Sequence, residues 1–87
     1  MLTAALSFNM EITFPQYRKY LNDRSFFKII SRTEWEEIQL IGNRYVLNNY
    51  VVKILPDRNL VHDMLFDYER NWKKIEAKEY DAVKQKL

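Results

Sequence analysis

A small α+β domain is the fold class this sequence predicts, and three observations predict it. Leu6, Phe8, Met10, Ile12 and Phe14 alternate strictly with Ser7, Asn9, Glu11 and Thr13, which is the period of a strand with one wet face. Arg44 to Leu55 is rich in Val, Tyr and Ile, and plotted as a helix its apolar residues spread right round the axis, which suits strands and not a surface helix. After Pro56-Asp57 the chain has no further Gly or Pro, and Val61, Met64, Leu65, Tyr68, Trp72 and Ile75 recur at three-and-four spacing on one helical stripe. The expected architecture is an antiparallel sheet of three or four strands, covered on one face by a long C-terminal helix with one or two short helices beside it. An all-α bundle is the rival.

Composition bounds the reading. A chain of 87 residues supports one core and is expected to form a single domain over 1–87. Hydrophobic residues at 47%, charged at 30%, one Gly and two Pro describe a chain rich in regular structure. The absence of Cys excludes a disulfide framework, a thiolate metal site and a thiol nucleophile, and places the expected compartment in the cytoplasm. Met1 to Met10 carries no basic leader, and no apolar run approaches the length of a membrane span. The net charge of +2 is too mild to name a partner.

Along the chain, the alternating stretch from Leu6 to Phe14 is the clearest strand. Thr13 caps a short helix with Pro15 in its first turn, ending at Asn22-Asp23. Phe26 to Ser31 is a compact apolar run read as a second strand. Thr33 followed by Glu36 has the spacing of a capping box, and Gly42 stands where a helix C-terminus wants a left-handed residue, so Thr33 to Ile41 is expected to be helical. Tyr45–Leu47 and Tyr50–Ile54 then flank Asn48-Asn49 as a hairpin, with a continuous helix as the rival.

The last helix raises a length problem. A globule of this size is about 30 Å across, whereas a straight helix over 58–87 runs about 45 Å. Its seam from 58 to 75 spans about 27 Å, which matches the globule. Beyond Ile75 the stripe drifts, so 76–87 is expected to protrude as a tail, to fold back as a short helix, or to lie on a partner through Tyr80, Val83 and Leu87.

No constellation carries chemistry in its own right. His62 is the sole histidine and reads as a surface side chain. Asp63 and Asp67 lie one helical turn apart but continue into Arg70 and Lys74, the row of a solvated ion-pair face. Glu34, Glu36 and Glu37 are accounted for by capping and by the dipole of the expected helix. No catalytic residue, metal site or cofactor is therefore assigned, and an enzyme is not expected. Trp35 is equally suited to core or interface, and Trp72 to the core. The candidate partner surface is Trp35, Tyr80, Val83 and Leu87.

The one surface constellation above background is Tyr17, Arg18, Lys19, Tyr20, Arg24, Lys28 and Arg32, cations interleaved with aromatics as phosphate contacts and base stacking require. The leading functional expectation is a small interaction or structural module that associates with a copy of itself, a dimer first, or with another protein, through the C-terminal helix or the sheet edge. The alternative is a nucleic-acid-binding domain using 17–32. No membrane association is expected.

Overall fold

The computed structural model describes residues 12–87. Their fold is α+β, a five-stranded antiparallel sheet with one helix on each face. The strands are β1 (Gln16–Tyr20), β2 (Ser25–Ser31), β3 (Glu34–Ile41), β4 (Arg44–Val51) and β5 (Trp72–Ile75), in the spatial order β4-β3-β2-β1-β5. The helices are α1 (Leu55–Phe66) and α2 (Ala77–Lys84). Most of the alternating stretch from Leu6 lies outside the described residues; Ile12 and Phe14 are described, half-buried against the α1 side of the core.

Four connected strands form because their polar and apolar residues serve two buried faces at once. Phe27, Ile29 and Trp35 point to the face covered by α1, where Val61, Met64 and Leu65 meet them. Phe26 and Ile38 point to the opposite face, where Tyr80 and Val83 of α2 meet them. A central strand buried on both sides loses the wet-dry alternation of a half-covered one. This corrects the helix expected over Thr33 to Ile41: Trp35 and Ile38, three apart, lie on opposite faces of β3, and Thr33 sits in the β2–β3 turn with its N–H donating to Ser31 Oγ at 3.1 Å. The short helix expected after Thr13 is likewise a strand, β1, held between β2 and β5.

The hairpin after β3 turns at Gly42-Asn43, not at Asn48-Asn49, because Ile41 pairs with Arg44. Gly42 has φ +65 and is the first central residue of this two-residue turn, the position that a glycine serves in a type II′ hairpin. Gly42→Ala meets no atom within 4 Å of the added Cβ, so its cost is backbone strain alone. The expected loss is about 1 kcal/mol, read as a lower urea midpoint with an unchanged slope.

The C-terminal third begins as its sequence implies. Pro56 stands in the first turn of α1, and Asp57 Oδ2 accepts from the N–H groups of Lys53 at 3.0 Å and Ile54 at 3.4 Å. The long helix does not follow. It stops at Phe66, the chain turns through Tyr68, whose carbonyl accepts from Asn71 and Trp72, and β5 pairs with β1. Trp72 and Ile75 each fill a core cluster, but on opposite sides of the sheet. Residues three apart share a face on a helix and oppose each other on a strand, and β5 uses that difference to carry the chain from α1 on one face to α2 on the other. Residues 77–84 are therefore not a protruding tail: Tyr80 has 0% exposure. Among the described residues no helix is long and apolar enough to cross a membrane.

Candidate functional site

The two edges of the sheet differ. β5 is four residues long and carries Lys73 and Lys74, the usual protection of an exposed edge. β4 is eight residues long, Arg-Tyr-Val-Leu-Asn-Asn-Tyr-Val, with no Lys, Pro or Gly. Val52 N–H donates to Thr33 O at 2.8 Å, which fixes the alternation: even-numbered residues of β4 turn their backbone groups toward β3. Tyr45, Leu47, Asn49 and Val51 therefore direct N–H and C=O outward along an edge that no other described strand pairs. Beside them Val46 and Tyr50 are partly exposed on the α1 face, Val51 is 55% exposed, and Ile54 and Leu55 continue the apolar surface at 61% and 67%.

This edge is tied to the rest of the sheet on both faces. Tyr50 stacks on buried Trp35 with ring centroids 5.1 Å apart. On the other face Glu36 is buried and its carboxylate accepts from Tyr80 Oη at 2.8 Å, Lys84 Nζ at 3.1 Å and Asn49 Nδ2 at 3.3 Å, tying β3, β4 and α2 together. Burial pushes the Glu36 carboxyl up, but the Tyr80 hydrogen bond, Lys84 and Lys28 outweigh it, and the group is held below the usual range. Burial and the bond to Glu36 push the Tyr80 hydroxyl well above the ordinary tyrosine value. Glu36 is thus a core anion, not the capping residue of a helix, and its placement beside Tyr80 and Lys84, 44 and 48 residues away, has no local signal.

The expected partner surface is not assembled. Trp35, Tyr80 and Val83 are core residues of this chain, and Leu87 alone of the four is exposed. The basic and aromatic segment is dispersed as well. Arg18 is buried under α1, donating from Nε to Met64 O at 2.8 Å and from Nη1 to Tyr17 O at 2.8 Å and Gln16 Oε1 at 3.2 Å, with its guanidinium 4.3 Å from the Tyr68 ring centre. Lys19 is bound between Asp23 and Glu79, each at 2.8 Å. Tyr17 packs on Tyr80 on one face and Tyr20 on Trp72 on the other. Lys28 is half-buried opposite Glu36, while Arg24 and Arg32 stand just beyond opposite ends of β2, about 26 Å apart at the rise of an extended strand.

Acid-base candidates also stay apart. His62, Asp63 and Asp67 are exposed on or just past α1, and Glu37 accepts from Ser25 Oγ at 2.7 Å. Among the described residues no cluster of three metal-ligating side chains forms. Comparison with family models, with curated proteins and with solved structures finds no match for this chain.

Proposed function

We propose that this chain is a small interaction module that pairs with a second copy of itself through β4, extending the sheet across a two-fold axis. The observation that carries the reading is the length and lack of protection of the β4 edge, beside a β5 edge that is short and lysine-bearing.

Self-pairing has a defined register. Two copies of β4 can run antiparallel with outward-facing residues opposed only when facing residues are both odd or both even. Centring the axis on Asn48 sets Tyr45 against Val51 of the second copy, Val46 against Tyr50, and Leu47 against Asn49, with the two Asn48 amides meeting at the axis. Apolar residues face apolar ones at both ends, and no like charges are opposed. Strand addition of this kind buries little area, so a dissociation constant on the order of micromolar is expected. A cytoplasmic setting accords with the cysteine-free sequence.

The test is absolute mass by light scattering over a concentration series, on the parent chain and on Asn48→Lys. Asn48 pairs with Glu37 within the sheet, so a lysine there gains an intrachain partner and should leave the melt unchanged. Across the axis it sets two ammonium groups against each other. The expected result is a concentration-dependent dimer that becomes monomeric on substitution. A parent chain that stays monomeric to millimolar concentration overturns the reading, and a dimer indifferent to Asn48→Lys moves the interface elsewhere.

A further inference from the structure

We propose that the cleft between α1 and the β2–β3 turn binds a small amphiphilic organic anion, with an acid group on Arg58 beside His62 and an apolar body against the Phe66 ring. The cleft encloses about 360 Å³, within the range of small-molecule sites. Buried Val61 and Leu65 form its floor and Phe66 one wall. Arg58 and His62 are one helical turn apart and line the same side. From the turn opposite, Arg32 reaches over the Phe66 ring with its guanidinium carbon 5.6 Å from the ring centre, and Thr33 completes the lining.

Three features choose the ligand class. Among the described residues that line the cleft there is no carboxylate, whereas the Arg58 guanidinium and the His62 imidazole line it side by side. Asp57 accepts from the backbone at the start of α1, whereas Asp63 stands 3.8 Å from His62 Nδ1, so Arg58 is the principal anchor of the acid group. The Phe66 ring, 45% exposed along the cleft, distinguishes the site from one for a bare anion, because inorganic phosphate would leave that ring uncovered. A guanidinium fork accepts a carboxylate or a phosphate monoester alike, so the shared chemistry is an acid group on an apolar body of about ten heavy atoms.

The experiment is titration of the full chain with butanoate, hexanoate, octanoate and octyl phosphate, followed by amide and side-chain NMR shifts, with hexanol and inorganic phosphate as controls. Affinity is expected to rise about threefold per added methylene. Shifts should centre on Arg58, His62 and Phe66, and hexanol and inorganic phosphate should each bind at least about tenfold more weakly than hexanoate and octyl phosphate respectively. Arg58→Gln, an exposed position, should weaken octanoate about tenfold and leave the melt unchanged. Preference between octanoate and octyl phosphate identifies the acid group. Chain-length independence, shifts centred elsewhere, or equal binding by Arg58→Gln overturns the proposal. Because neither Arg58 nor His62 lies on β4, loss of dimerisation by Asn48→Lys should not alter this binding.

Discussion

Replacing Arg18 by alanine is expected to lower folding stability by about 3 kcal/mol, which for a chain of this size moves the melting midpoint by roughly 15 °C. Arg18 is 2% exposed and makes no ion pair with a carboxylate among the described residues. Its charge is balanced in another way. Met64 lies in the last turn of α1, where carbonyl groups lack intrahelical donors and the helix dipole is negative, and the guanidinium supplies the donor there. The Tyr68 ring and the Tyr17 carbonyl take the rest of its surface. Burial lowers its pKa, partly offset by Tyr68 and Glu69, and the group stays charged throughout the accessible range. Arg18→Lys should rescue little, since a point charge cannot reach both the β1 carbonyl and the helix end. Arg18→Met fills the volume but leaves the Met64 carbonyl unpaired, and should fall between the parent and alanine. A methionine variant as stable as the parent would show that the guanidinium's bonds offset no more than its own desolvation.

The Glu36 network should produce the second large effect, visible as a plateau in stability against pH with two falling limbs. Because the folded carboxyl titrates below its unfolded value near 4.3, the unfolded chain binds the proton first. Stability is therefore fully present above that pH and is lost as pH falls through the folded value. Tyr80 has the opposite sign. Its folded hydroxyl titrates above the unfolded value near 10, so its contribution is present below that pH and is lost as pH rises. Tyr17 and Tyr20, both pushed up first by burial, and Lys19, pushed up by its bonds to Asp23 and Glu79, add to the alkaline limb. Glu36→Gln should lose about 2 kcal/mol at neutral pH and flatten the acid limb. Tyr80→Phe should cost about 1 kcal/mol and shrink, without abolishing, the alkaline one. Denaturant melts from pH 3 to 11 check both, and the double variant should lose less than the two losses added. Strict additivity would separate the two groups energetically.

The residues that make these effects large are those whose roles were least visible in one dimension. Arg18 belongs by spacing to a basic surface segment, yet β1 turns it inward under α1. Glu36 stands three residues after Thr33 and imitates a capping box, yet β3 lies between β4 and β2 and presents its acid where Tyr80 and Lys84 arrive from α2. The open edge was closer to legible: Arg44 to Leu55 reads as β structure from Val, Tyr and Ile, although the turn falls at Gly42-Asn43 and β4 runs unbroken through Asn48-Asn49.

By itself the sequence determined the start of a helix at Pro56-Asp57 and favoured, over helical rivals, the α+β class, the strand at Phe26 to Ser31 and extended structure in 44–51. These follow from side-chain period and from the backbone chemistry of Pro and Asp, which act within a few residues. Only the tertiary structure decided where that helix stops and which face each later residue serves. Trp72 and Ile75 satisfy a helical stripe and a two-faced strand equally well at three-residue spacing. The free β1 edge, which had to be paired, and a second sheet face, which had to be covered by α2, settled it in favour of the strand.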